Sequence, residues 1–214
     1  MIRGIVFDFD GVILESADVK TDAFCELYVD HGHEVVAAVR AHHLSNLGIS
    51  RFKKFAWIAE HVLRQPFSEL DSAALGVRFG DLALAKVLAA PFVPGAQAAV
   101  ATLAASYPLF VASGTPHEEL AMIVEHRGLA VHFREVHGSP TEKHTILEDL
   151  MARHGFARDE VLFIGDGASD HKAATAAGVQ FLARETPALR DDWARLAVRR
   201  EPDLSRLPEI VASW

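Results

Sequence analysis

Asp8 and Asp10 stand two residues apart in Asp8-Phe9-Asp10-Gly11-Val12, at the end of an apolar run that begins at Gly4. On a strand, side chains at that spacing share a face while Phe9 points away. Two carboxylates held close repel, and one gains a proton unless a cation lies between them. A hard divalent ion, which prefers oxygen ligands, removes that conflict. A second acidic run, Gly165-Asp166-Gly167-Ala168-Ser169-Asp170, follows another apolar stretch and puts Asp166 at a strand end and Asp170 one helical turn later. Alone, a strand-end Asp-x-Asp more often caps a helix or shapes a turn than carries chemistry. Two such runs in one chain direct their acids at the crevice beyond the strand ends, where open α/β sheets bind ligands, and point to a metal-assisted site.

Two further segments could serve an anion. Ser113-Gly114-Thr115-Pro116 reads as a helix N-cap followed by proline at the first helical position. A hydroxyl and free backbone N–H groups at a helix start also bind phosphate, so the structural and functional readings agree. Lys143, in Thr141-Glu142-Lys143-His144, falls in a first helical turn, where a lysine opposes the macrodipole. On its own it reads as a surface lysine.

These residues need a scaffold that brings strand tips together. Apolar runs at Gly4–Phe9, Leu109–Ala112, Val161–Ile164 and Val179–Leu182 predict strands, each followed by turn residues and a helical pattern. A weaker fifth strand is expected over Glu135–His137, ahead of the turn Gly138-Ser139-Pro140. Helices are expected to start near Gly95, Pro116, Thr141 and Ala168. The alternation implies an α/β fold, a Rossmann-like parallel sheet. Residues 16–90 differ: Ala17–Val29, Val35–Leu44, Phe52–Leu63 and Ser68–Leu88 carry helical periodicity with no convincing strand. An all-helical module is therefore expected over 16–90, inserted into a core formed by 1–15 and 91–214. Glu15 and Ser16 mark one hinge, and Pro91, Pro94 and Gly95 the other. In the insert, Phe52, Phe55 and Trp57 recur at helical spacing and read as its core.

The chain has 214 residues, half of them hydrophobic and 23% charged, which is ordinary globular composition. Its formal net charge of −8 disfavours nucleic acid and anionic membranes, both of which reward a basic face. Cys25 is the single cysteine, so no internal disulfide can form. Met1–Asp10 lacks the long apolar stretch of a signal peptide, and no apolar run approaches the roughly 20 residues of a membrane span. The expectation is a cytoplasmic protein acting on a small ligand, with its oligomeric state open.

Taken in order, Asp8-x-Asp10-Gly11-Val12, Ser113-Gly114, Lys143 and Gly165-Asp166-x-x-x-Asp170 resemble the four motifs of the haloacid dehalogenase-like hydrolase superfamily. The resemblance spans roughly 2–183. It implies that 16–90 is an α-helical cap inserted after the first motif, as in the phosphoglycolate phosphatase and β-phosphoglucomutase branch. It further implies that Asp8 is the nucleophile forming an aspartyl-phosphate, and that Asp10 protonates the leaving alcohol and then deprotonates water. Mg²⁺ would be held by the Asp8 carboxylate, the Asp10 carbonyl and Asp166, with Asp170 in support. Ser113, the Gly114 amide and Lys143 would grip the phosphate. Asp10 favours phosphoryl transfer, because the halide-displacing branch lacks an acid there. The third motif often reads lysine then proline, whereas here Lys143 precedes His144.

The implied activity is Mg²⁺-dependent hydrolysis of a small phosphorylated metabolite. A phosphosugar mutase or a phosphonate hydrolase on the same core is the rival enzyme, and a regulator that merely keeps the fold is the non-enzymatic one. Lys20 falls where β-phosphoglucomutase-like proteins carry a cap histidine, and Gly48-Ile49-Ser50-Arg51 resembles the cap segment whose arginine holds a second phosphate. Lys20 and Arg51 are thus candidate substrate contacts, although each also reads as a solvated surface charge. His31-x-His33 and His42-His43 do not make a zinc site, for they sit in a helical, exposed-looking module without a nearby cysteine.

Overall fold

The computed structural model describes residues 1–214, apart from the side chain of Ala188. A six-stranded parallel sheet in the order β3-β2-β1-β4-β5-β6 forms the centre. Its strands are β1 (Gly4–Phe7), β2 (Leu109–Pro116), β3 (Glu135–Ser139), β4 (Val161–Gly165), β5 (Gln180–Arg184) and β6 (Arg200–Glu201). β1 lies between β2 and β4, with Val6 beside both Phe110 and Phe163. The period-2 alternation sorts the apolar residues onto two faces. Ile5, Phe7, Leu109, Val111, Leu162 and Ile164 join one buried cluster; Val6, Phe110, Ala112, Val161 and Phe163 join the other. A sheet covered on both sides needs continuous apolar strands, and that is what these short runs supply.

Helices α5 (Ala96–Ala104), α6 (His117–His126) and α10 (Leu207–Ala212) cover the first face, and α7 (Lys143–His154) and α8 (Ala168–Ala177) the second. A short helix α9 (Arg190–Arg195) precedes β6. The expected fifth strand is present as β3. β6 has no sequence signal, being two polar residues paired with Ala183 and Arg184.

Between β1 and β2 the chain is helical: α1 (Ala17–Leu27), α2 (His33–Ser45), α3 (Arg51–Ile58) and α4 (Glu69–Ala89), with a π-helical turn at Ala59–Leu63 closing α3. Ser68 starts α4 with a reciprocal cap, its Oγ accepting from the Asp71 N–H while the Asp71 carboxylate accepts from Ser68. Phe24 anchors the insert, its ring 4.7 Å from Phe79 and 5.6 Å from Phe55. Burying each such ring contributes on the order of 2 kcal/mol. The aromatic expectation is corrected in part. Phe55 is fully buried, but Phe52 is 37% exposed, and Trp57 stacks between His42 and His61 at the margin. His43 is also corrected from exposed to buried.

The two crossings into and out of the insert lie side by side. Glu15 N–H donates to the Pro91 carbonyl at 2.9 Å and Val93 N–H to the Ile13 carbonyl at 3.0 Å.

Candidate active site

β1 stops at Phe7, and Asp8 follows with its N–H donated to the Ile164 carbonyl at 2.8 Å, which fixes it against the tip of β4. Asp166 follows the end of β4, and Asp170 lies in the first turn of α8. All three are buried, and oxygens of Asp8, Asp166 and Asp170 lie within 4.8 Å of one another. Asp170 is held twice: its Oδ2 accepts the Gly167 N–H at 2.9 Å and its Oδ1 accepts from Lys143 Nζ at 2.5 Å.

Lys143 Nζ also lies 2.9 Å from Asp8 Oδ1, close enough for charge attraction though outside hydrogen-bond geometry. Asp8 Oδ2 and Asp166 Oδ2 are buried with no hydrogen-bond partner. Burial pushes the Asp8 carboxyl up to about 7, Lys143 pulling it down and Asp170 and Asp10 pushing it further up. Burial and the Asp8 charge likewise raise Asp166 well above the carboxylate range. Burial opposes the Lys143 charge, but Asp170 and Asp8 outweigh it and hold the amine protonated. One ammonium among three buried acids leaves unpaired carboxylate oxygens, and that donor set fits a hard divalent cation such as Mg²⁺.

Asp10 faces a separate set of donors. Its Oδ1 accepts from Ser16 Oγ at 2.6 Å; its Oδ2 accepts from Thr115 Oγ1 at 2.9 Å and from Lys20 Nζ. Burial disfavours its charge, yet the Lys20 charge and the three hydrogen bonds prevail and hold the carboxyl below its usual range. Lys20 is therefore spent on Asp10 and Thr115.

Ser113 and Gly114 line the same cavity as Asp8, Asp10 and Asp166. The expected helix cap there is corrected: β2 runs on to Pro116, and α6 starts only at His117, with Pro116 in the N-cap position. The Ser113 Oγ accepts the Thr115 N–H at 3.2 Å and the β2–β3 register shifts between Ala112 and Pro116, so strand geometry carries past the site. Lys143, which by its local sequence alone reads as a surface lysine, is buried as its motif role requires, because Glu142 takes the N-cap position and the first turn of α7 faces the acids.

The insert closes over this cluster. Gly48, at φ +80°, comes so near that a Cβ would sit 2.9 Å from Lys143 Nζ, while a Cβ on Gly114 would lie 2.5 Å from the Gly48 carbonyl oxygen. Only glycine permits both the backbone angle and the approach. Ser169 Oγ donates to the Leu47 carbonyl, and Lys53 pairs with Glu142. Arg51, the other candidate substrate contact, is buried, pairs with Glu119 at 2.6 Å and packs its guanidinium 4.4 Å from the Phe79 ring centroid. Thr115, Glu119, His43 and Lys54 belong to the site or its closure without a motif to mark them. Thr115 adjoins the Ser113-Gly114 pair; the other three read as helical surface positions.

A parallel sheet with acids at two adjacent strand tips, and a lysine between them, defines an α/β enzyme working at the carboxyl edge of its sheet. The haloacid dehalogenase-like hydrolase family model matches residues 2–178, and the chain belongs to that family. Solved structures agree in fold. A predicted phosphatase from Clostridium acetobutylicum superposes with a TM-score of 0.77 at 18% identity, covering 100% of both chains. A predicted phosphoglycolate phosphatase from Haemophilus somnus 129pt gives 0.72 at 18% identity over 98% of each chain. CbbY from Rhodobacter sphaeroides, in complex with phosphate, gives 0.75 at 17% identity over 97% of this chain and 96% of that one. No curated protein sequence matches. No helix among the described residues is long and apolar enough to cross a membrane.

Proposed function

We propose that this hydrolase is a Mg²⁺-dependent phosphatase that cleaves a small phosphorylated metabolite through an aspartyl-phosphate on Asp8, with 16–90 acting as a cap over a core of 1–15 and 91–214. The observation that carries the reading is the convergence of Asp8, Asp166 and Asp170 within 4.8 Å, with buried oxygens of Asp8 and Asp166 left unpartnered beside Lys143.

The Asp8 carboxylate attacks phosphorus in line as the P–O bond to the alcohol breaks. Asp10 gives the departing alkoxide a proton; as a carboxylate it then takes one from the water that attacks the aspartyl-phosphate, which returns Asp8 and releases inorganic phosphate. The donors around Asp10 favour its charged form, which suits the second step. Lys143, Ser113 and the Gly114 amide hold the phosphoryl oxygens. Mg²⁺ on the Asp8 carboxylate, the Asp10 carbonyl and Asp166, with Asp170 behind Lys143, would supply charge neutralisation at those oxygens. The insert excludes water from the site. The phosphate complex of CbbY supports a phosphate ligand for this fold. Arg51 is engaged by Glu119 rather than free for a second phosphate, which favours the phosphatase over the mutase.

Hydrolysis of an aryl phosphate, with and without Mg²⁺, tests the reading in the wild type and in Asp8→Asn. Release is expected only with both metal and Asp8. Release that survives Asp8→Asn removes the nucleophile, and inactivity across a broad panel of phosphate esters favours a non-enzymatic role.

A further inference from the structure

Thr115 lies outside the four motifs, yet it joins a residue that grips phosphate to the residue that moves the proton. β2 advances from Ala112 to Pro116 while its partner β3 advances only from His137 to Ser139. A strand that gains residues against its partner bulges, and a bulge re-aims the side chains it carries. Within this one lie Ser113 and Thr115, both buried and both lining the cavity that holds Asp8 and Asp10.

Thr115 bonds in two directions. Its N–H donates to Ser113 Oγ at 3.2 Å, which occupies that oxygen as an acceptor and leaves the Ser113 O–H free to donate. Its Oγ1 lies 2.6 Å from Lys20 Nζ and 2.9 Å from Asp10 Oδ2. An ammonium only donates, so the hydroxyl accepts from Lys20 and its single proton goes to Asp10. Of the three side chains that donate to the Asp10 carboxylate, Ser16 and Lys20 belong to the entry of the insert and Thr115 to the sheet. Lys54, the other lysine lining the cavity, meets His43 Nδ1 at 3.0 Å and forms no pair with Asp10. A charge attracts from any side, whereas a hydrogen bond weakens steeply off its axis. Lys20 therefore favours the charge of Asp10, and Thr115 fixes where the carboxyl points.

We propose that Thr115 is a positioning residue for proton transfer: its hydroxyl aims the Asp10 carboxyl at the oxygen of the departing alcohol, and its N–H turns the Ser113 hydroxyl towards the phosphoryl group. The proton passes from the Asp10 carboxyl to the ester oxygen as the P–O bond to the alcohol breaks and the bond from Asp8 to phosphorus forms; Thr115 keeps its own proton throughout. The inference deepens the phosphatase reading and rests on it.

The need for that proton grows with the basicity of the leaving group. A nitrophenolate departs without one, and the alkoxide of a primary alcohol does not. The test measures kcat/KM, which covers the steps up to P–O cleavage, for nitrophenyl phosphate, phenyl phosphate and the phosphate monoester of a short primary alcohol, in the wild type and in Thr115→Val. Valine is close in shape and keeps the N–H to Ser113, so the hydroxyl alone is lost. The ratio of alkyl to nitrophenyl kcat/KM is expected to fall by about ten- to a hundred-fold, the scale on which a misaimed catalytic group costs rate. Thr115→Ser, which keeps the hydroxyl, should return the ratio to its wild-type value. Thr115→Ala repeats the measurement should the valine variant fold poorly. Equal losses on every ester, or a ratio unmoved in both Thr115→Val and Thr115→Ala, would reduce Thr115 to a packing role and overturn the proposal while the phosphatase stands. Wild-type protein that releases phosphate from none of the esters overturns the phosphatase reading first, and the positioning role with it.

Discussion

Arg51 of the helical insert and Glu119 of α6 are joined by a 2.6 Å ion pair that spans insert and core, its arginine side buried to 5% exposure under Phe79. Together with the Lys53–Glu142 pair and the Ser169–Leu47 hydrogen bond, it fastens the segment around Gly48 over the acids. On the phosphatase reading these contacts hold the insert beside Asp8, so their strength enters the kinetics as well as the stability.

Arg51→Ala leaves Glu119 partly buried without its partner, which should destabilise the protein by about 2 kcal/mol in denaturant titration. Hydrogen exchange should quicken in residues 46–51. Because the arginine is engaged by the core, mono- and bisphosphate substrates should lose kcat/KM by the same factor. A loss confined to bisphosphates would show that the side chain leaves Glu119 to meet substrate.

Metal binding should be proton-linked. In the metal-free protein the Asp8 carboxyl keeps its proton up to about 7, against 3.8 as its ordinary value. The folded state then binds more protons than the unfolded chain between those values, and the stability it gains from them is lost as pH rises through about 7. Mg²⁺ competes for the same oxygens, so it should bind weakly in acid and more tightly as the proton leaves. The rise in Tm on adding MgCl₂ should be several-fold larger at about pH 8 than at about pH 5.5. An equal shift at both would exclude Asp8 and Asp166 as ligands.

Simple periodic rules make part of this molecule legible in its amino-acid order alone. β1, β2, β4 and β5 are apolar runs because both faces of the sheet are covered, and acids at the tips of two of them sit next to each other because β1 pairs with β4. Lys54 obeys no such rule. In Phe52-Lys53-Lys54-Phe55 the two lysines look alike, and only the fold makes Lys53 exposed and Lys54 buried. The partners of Asp10 are equally hidden, since Lys20 and Thr115 are 95 residues apart and meet only in the folded chain. Ser113 reaches the cavity as its motif implies, but on a strand rather than at a helix cap, because pairing with β3 prolongs the strand that its own residues would end.

Lys20→Met should separate the two proton transfers of Asp10. The Lys20 charge is the strongest influence holding that carboxyl below its ordinary value, so its removal moves the pKa up. The acidic limb of the kcat–pH profile should shift to higher pH, with kcat reduced about ten- to a hundred-fold and KM changed little. Lys20→Arg, which keeps the charge, should restore much of the profile. A changed KM with an unmoved limb would make Lys20 a substrate contact instead.

Lys54 also makes a prediction that needs no substrate. Burial, reinforced by the Lys20 and Lys143 charges, pushes its amine down to about 7 from an ordinary 10.5. Below about 7 the folded protein carries the buried charge in full; between about 7 and 10.5 the folded lysine is neutral while the unfolded chain still binds the proton. The penalty is thus complete in acid and fades as pH climbs towards 10.5. Lys54→Met removes it, at the expense of a His43 nitrogen left unpaired, worth about 1–3 kcal/mol. The net gain should be a few kcal/mol near about pH 6 and should fall to nothing or reverse by about pH 9.5, because each unit of depressed pKa is worth about 1.4 kcal/mol. Thermal melts of the two proteins across that range read the effect directly. Parallel Tm–pH curves would mean that Lys54 is neutralised by a counter-charge.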